Sequence, residues 1–130
     1  GAVVSAFNYD FSNCPDLAQT IAATMAGLGI KGKLSGLKSL RIKETDRIEA
    51  LKQEFLKFNI EIETGPDFIV MPSTAIKLPI KAIKTHQDHR MAMCIAPLAV
   101  FCNGIKIEQP EVVDKSYPTF WEQFHLSLNL

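Results

Sequence analysis

The sequence predicts an α/β fold in which a β-α-β-α plan occurs twice. Three observations predict it. Segments of period two and of period 3.6 alternate along the chain. Gly29-Ile30-Lys31 and Gly104-Ile105-Lys106 fall at equivalent places in the two halves, as do Lys43 and Lys115. The stretch from Met91 to Cys102 is apolar almost all round, as in a helix buried on every side. The approximate repeat units are residues 1–75 and 76–130, and the second lacks a closing hairpin.

In chain order, Ala2 to Tyr9 reads as a strand, and Pro15-Asp16 opens a helix that runs to about Leu28. Leu17, Ile21, Met25 and Leu28 are its expected apolar stripe, and Gly29 ends it. Ile30 to Leu34 is the second strand. From about Glu44 to Phe58 a helix carries Ile48, Leu51, Phe55 and Phe58 on its apolar face, with Glu49, Lys52, Gln53 and Lys57 on its wet face. Ile60-Glu61-Ile62-Glu63 alternates as a half-buried strand does, Gly65-Pro66-Asp67 turns the chain, and Phe68 to Met71 returns. Ile80 to Thr85 then reads as a strand, His89 to Phe101 as a helix bent by Pro97, Gly104 to Ile107 as a strand, and Pro118 to about Leu128 as a last helix.

At 130 residues the chain holds one domain with a real core. Its 14 basic and 14 acidic side chains cancel, which argues against nucleic-acid or membrane-surface binding driven by bulk charge. Cys14, Cys94 and Cys102 show no CxxC spacing and read as reduced, so a cytoplasmic location is expected. No basic residue or histidine adjoins Cys14 to activate it as a nucleophile. No apolar run is long enough to span a bilayer as a helix. The chain begins at Gly1 and runs straight into an apolar strand, which suggests a cut within a longer protein.

The chemistry concentrates at four strand-to-helix junctions: Asp10 to Asp16, Lys43 to Arg47, Thr85 to Arg90 and Asp114 to Pro118. Ligands of open α/β sheets bind beyond the carboxyl ends of parallel strands, close to helix N-termini. Arg41, Arg47 and Arg90 are the only arginines, and all lie in or beside junctions. Arginine offers the fork that suits a carboxylate or a phosphate. Each residue also has an ordinary reading. Asp16, Glu44 and Asp46 complement a helix dipole, Asp46 can pair with Arg47 or Lys43, and Asp88 caps the helix at His89. His86, Asp88 and His89 are spaced for a metal, but the remaining histidine is the distant His125 and no cysteine adjoins, so no metal is expected.

Three blocks carry a resemblance: Leu40-Arg41-Ile42-Lys43-Glu44-Thr45-Asp46-Arg47-Ile48, Asp88-His89-Arg90-Met91-Ala92-Met93, and Lys115-Ser116-Tyr117-Pro118-Thr119-Phe120. Together with Asn13-Cys14-Pro15-Asp16 and Thr20, the chain resembles the C-terminal part of the EPSP synthase (3-phosphoshikimate 1-carboxyvinyltransferase) family. That family is roughly three times longer, consistent with usual domain sizes. The resemblance implies repeated βαβαββ units in an inside-out α/β barrel, with helices inside and sheets outside, and a site between two domains. It implies enolpyruvyl transfer from phosphoenolpyruvate to the 5-hydroxyl of shikimate 3-phosphate, with phosphate released and neither metal nor organic cofactor. The partners are those two substrates and the N-terminal portion of the same protein, without which the chain is expected to be inactive.

By the same resemblance, Asp16 contacts the shikimate hydroxyls and takes the 5-hydroxyl proton. Lys43 binds shikimate 3-phosphate, and Glu44 gives and takes the proton at the methylene carbon of phosphoenolpyruvate. Arg47, Arg90 and Lys115 bind phosphoenolpyruvate, and His89 lies at the site edge. Asp10 has no counterpart and reads as structural. Ser39 stands where many members carry an asparagine that helps hold shikimate 3-phosphate. The rival readings are the sister transferase acting on UDP-N-acetylglucosamine and a non-catalytic anion-binding module.

Overall fold

Residues 5–77, 81–100, 106–114 and 116–123 are described by the computed structural model. The first unit runs β1 (Tyr9–Asp10), α1 (Ala18–Leu28), β2 (Gly32–Ser35), α2 (Arg47–Lys57), β3 (Glu63–Thr64) and β4 (Ile69–Met71). This is a βαβαββ order, and its strands form one sheet in the spatial order β1-β2-β4-β3. β1 and β2 are parallel, while β4 runs antiparallel to both β2 and β3. β5 (Ile83–Lys84), α3 (His89–Ile95) and β6 (Ile107–Glu108) follow, and β5 pairs with β6 in parallel. The two parallel pairs open in the same way. Phe7 N–H donates to Lys31 O, and Ile83 N–H donates to Lys106 O.

The helices pack on one another through a common core. The expected face of α2 is the buried one: Ile48, Leu51, Phe55 and Phe58 have no exposed surface. Burying a phenylalanine fully contributes about 1.5–3 kcal/mol. The alternation Ile60 in, Glu61 out, Ile62 in, Glu63 out also holds, although ladder pairing covers only Glu63–Thr64.

Several expectations need correction. Of the first expected strand, Ala2 to Tyr9, residues 2–4 lie outside the described residues; among the described ones ladder pairing covers an isolated bridge from Ala6 to Lys31 and then Tyr9–Asp10. The Asn8 side-chain oxygen accepts from Lys33 N–H, so a side chain replaces part of the ladder. The helix at Pro15 begins as a 3-10 turn, Pro15–Leu17, before α1. Its expected stripe is half wrong. Leu17 and Leu28 are exposed, and α1 instead buries Ala18, Gln19, Ala22, Ala23, Met25 and Ala26. The reason is the helix it packs against: a small-residue face lets α1 approach α3 closely.

α2 starts at Arg47, three residues later than expected, because the Asp46 side chain accepts from Glu49 N–H and caps the helix there. α3 gives way to a 3-10 turn, Ala96–Val100, where Pro97 removes an N–H donor. Among the described residues the strand before α3 pairs over Ile83–Lys84 and that after it over Ile107–Glu108, with residues 80, 104 and 105 outside them, and the last helix opens at residue 120. Cys14 and Cys94 are free thiols, and burial pushes Cys94 up to about 12. Cys102, Lys115 and His125 lie outside the described residues.

Candidate functional site

Three junctions meet at one buried guanidinium. Arg47, at the first position of α2, is 2% exposed. Its Nε donates to Asp88 Oδ2 at 2.7 Å, and its Nη2 reaches Asp88 Oδ1 at 3.3 Å. Nη2 also donates to Glu44, and Nη1 donates to Asp16 Oδ1 at 3.3 Å. A buried charge is tolerated only when paired and hydrogen-bonded, and three carboxylates meet that need here. Asp88 is fully buried and does a second task. Its Oδ1 accepts from Arg90 N–H at 2.9 Å, which caps α3.

The outer ring of the cluster is wet. Glu44 and Asp16 keep 49% and 40% of their side chains exposed. Lys43 Nζ stands 3.8 Å from Asp16, and Arg90 Nη2 stands 4.0 Å from the other oxygen of the same carboxylate. At those distances Lys43 and Arg90 keep most of their donor capacity for an incoming anion. The hydrogen bond from its own backbone N–H is the largest influence on Glu44. With the charges of Arg47, His89 and Lys43 it outweighs desolvation and holds the carboxyl below its ordinary range. A cavity of about 30 Å³ opens beside this ring between Asp16, Gln19, Thr20, Arg90, Met93 and Cys94. Among the described residues the Gln19 side-chain Oε1 is buried with no hydrogen-bond partner.

Six of the seven residues singled out from sequence thus share one cluster. Asp16, Lys43, Glu44, Arg47 and Arg90 are linked directly, and His89 Nδ1 stands 3.9 Å from Asp88. The seventh, Lys115, lies outside the described residues. The neighbours behave differently from expectation. Asp46 pairs with Arg41 at 3.0 Å, not with Arg47 or Lys43, while it caps α2. His86 donates to Glu54 at 2.8 Å, which turns it away from His89. Among the described residues no three His, Cys, Asp or Glu side chains group as metal ligands. Asp10 accepts from the Ser12 N–H and hydroxyl, and so shapes its own turn. No helix among the described residues is long and apolar enough to cross a membrane.

Sequence reasoning missed two groups. Asp88 stands in the sequence as a cap and beside two histidines, but nothing there marks it as the partner of Arg47, 41 residues away. Glu54 was not singled out at all, although it is 1% exposed. Burial, the largest single influence, raises its pKa. Hydrogen bonds from Lys57, His86 and the Lys84 amide outweigh that and leave it below the ordinary carboxylate range. A charged residue seven positions after Arg47, beside Phe55 in the apolar stripe, was the available signal.

A βαβαββ unit whose strand-to-helix junctions gather acids and cations around one arginine defines the class as an α/β protein with a charged cluster at its helix N-termini. The family is fixed by comparison: the EPSP synthase (3-phosphoshikimate 1-carboxyvinyltransferase) model matches residues 3–124, and the chain belongs to that family. A 3-phosphoshikimate 1-carboxyvinyltransferase from Bacteroides fragilis is 44% identical over 124 residues, covering 94% of this chain and 30% of that protein. One from a Sulfurovum species is 39% identical over 121 residues, covering 92% and 28%. An EPSP synthase structure from Acinetobacter baumannii superposes with a TM-score of 0.70 at 29% identity, over 86% of this chain and 27% of that one. The chain therefore spans about 30% of the length of the curated relatives it matches. These relatives carry the shikimate name, so the UDP-N-acetylglucosamine reading is not favoured.

Proposed function

We propose that the chain supplies one wall of the active site of an enzyme that moves the enolpyruvyl group of phosphoenolpyruvate to the 5-hydroxyl of shikimate 3-phosphate. The carrying observation is the convergence of Asp16, Lys43, Glu44 and Arg90 from three separate segments around Arg47. In this reading the remainder of the same protein supplies the other wall. The units 1–75 and 76–130 belong to one of its domains, and the enzyme works in the cytoplasm without metal or organic cofactor.

The roles follow from charge and position. Asp16 takes the proton of the attacking 5-hydroxyl, while that oxygen bonds to C2 of phosphoenolpyruvate. Glu44, in its acid form, gives a proton to the methylene carbon. The resulting tetrahedral adduct carries a carboxylate and a phosphate, so fixed cations are required. Arg90 and Lys115 meet the phosphoenolpyruvate anions, and Lys43 meets the 3-phosphate. Glu44 then takes a proton back from the methyl group as the C2–O bond to phosphate breaks, and the proton that Asp16 took leaves with the phosphate. Its depressed pKa favours this second step. The dianionic substrate raises that pKa toward the value the first step needs.

Arg47 differs from Arg90. Its donors are already engaged by Asp16, Glu44 and Asp88, so an anion reaching it must displace Glu44 or Asp16. Its first task is to fix the two catalytic carboxylates, and its contact with phosphoenolpyruvate follows from that exchange. His89 bounds the site.

In the complete enzyme, phosphate release from phosphoenolpyruvate and shikimate 3-phosphate is the direct assay. Glu44→Gln is expected to lower turnover by roughly a hundredfold or more, the usual worth of a proton-transfer group. Its folding stability should stay within about 0.5 kcal/mol of the parent, because the side chain is half exposed. Undiminished turnover in Glu44→Gln, or a parent enzyme that binds both substrates and releases no phosphate, overturns the reading.

A further inference from the structure

A second network sits behind the site, about two turns further along α2. Glu54 Oε1 accepts from Lys57 Nζ at 2.6 Å and from Lys84 N–H at 2.8 Å, and Oε2 accepts from His86 Nε2 at 2.8 Å. A carboxylate can only accept, so His86 Nε2 carries the hydrogen. Lys57 is held in turn by Ala82 O at 2.9 Å. One buried side chain thus grips the chain on both sides of Thr85, which is itself buried and donates to Gln109 O at 3.3 Å.

The gripped segment is strained. His86 and Gln87 are consecutive residues in the left-handed region, with φ of 55° and 57°, and neither is glycine. Such a pair persists only where its surroundings over-determine it. Directly after it come Asp88, which holds Arg47, and Arg90, the least engaged cation of the site. Arg47 and Glu54 lie seven residues apart on one helix, hence on one face and about 10 Å apart. α2 therefore bolts down the β5–α3 turn at two points, one in the site and one behind it.

We infer that Glu54 is a positioning residue, holding the Lys84–Asp88 turn in the left-handed shape that delivers Asp88 and Arg90 to the site. Only the kinetic part of this inference rests on the proposed function. The rest concerns the shape of the turn.

Amide hydrogen exchange on the 130-residue chain reads that shape. In Glu54→Ala the amides of Asp88 and Arg90, bonded to Thr85 O and to Asp88 Oδ1, should exchange at least about tenfold faster, while those of Ala22 to Met25 in α1 stay unchanged. Glu54→Gln keeps an acceptor for Lys84 N–H and should recover most of the protection. His86→Ala leaves the Glu54–Lys57 pair intact and should give the same local loosening, which serves if Glu54→Ala does not fold. In the complete enzyme, Glu54→Ala should raise KM for phosphoenolpyruvate about tenfold and leave KM for shikimate 3-phosphate nearly unchanged, because misplacing Arg90 affects one substrate. Unchanged exchange at the turn in both alanine variants overturns the inference, and so does a rise spread evenly over α1 and the turn. Local loosening with an unchanged KM for phosphoenolpyruvate upholds the positioning role and counts against the functional reading instead.

Discussion

Asp88 answers two demands with one carboxylate. It ends the backbone of α3 correctly, and it neutralises an arginine that has almost no contact with water. Removing one member of a buried pair leaves the other uncompensated, at a cost of about 3–5 kcal/mol. Arg47 retains Glu44 and Asp16, so Asp88→Ala should fall at the low end, about 3 kcal/mol, as a drop in the urea midpoint without change in slope. A loss below about 1 kcal/mol would mean that the two wetter carboxylates suffice. Much at this scale was legible in sequence. Arginines at the junctions pointed to the place where Arg47 and Arg90 meet Asp16, and Asp88 before His89 pointed to a cap. The Arg47–Asp88 bond was not legible, because nothing local in either segment encodes a partner 41 residues away.

Helix α1 shows why a periodic pattern finds an element more readily than its inner face. Leucine and isoleucine at helical spacing predicted a helix, and a helix is there. Its inner face is nevertheless made of alanine, because α3 packs close against it. Ala22 has no exposed surface, and Ala22→Leu should overpack this contact and cost about 1–3 kcal/mol in chemical unfolding. Leu28→Ala, at an exposed position on the same helix, should stay within about 0.5 kcal/mol. The reverse order would restore the leucine stripe as the packed face. The start of α2 carries a similar lesson. Charge density drew the expected start to Glu44, whereas the cap at Asp46 sets it. Lys43 and Glu44 are left in the preceding turn, free to face a ligand. Gly32 marks the tightest backbone approach in the sheet. A Cβ there would lie 1.6 Å from Phe7 O, so this is a position that only glycine fills.

Across the molecule, the charges cancel in number but not in environment. Glu44 and Glu54 both titrate below their ordinary value of 4.5, so the unfolded chain binds protons more readily than the folded one. Their contribution is present above that value and is lost as the pH falls through the depressed folded values. Urea unfolding from pH 7 downward should show stability falling most steeply below about pH 4.5. Glu54→Gln should be less stable at neutral pH and show a flatter fall. A steeper fall in the variant would reverse the assigned sign. The overall α/β order was legible because alternating strand and helix patterns survive short, irregular ladders. The short ladder pairing among the described residues was not, since a side chain such as Asn8 takes over a ladder bond.

The cluster at Arg47 also lies on a seam. Asp16, Lys43, Glu44 and Arg47 belong to the part of the chain that ends at β4, whereas Asp88 and Arg90 belong to the part that begins at β5. On the proposed reading, anions held by Lys43 on one part and by Arg90 on the other would draw those two parts together, so occupancy and cohesion would become one thermodynamic quantity. At a hundred times its dissociation constant, such an anion adds about 2.7 kcal/mol to the folded state. On that reading a bound substrate would act as a removable rivet, and the melting temperature would rise with its concentration.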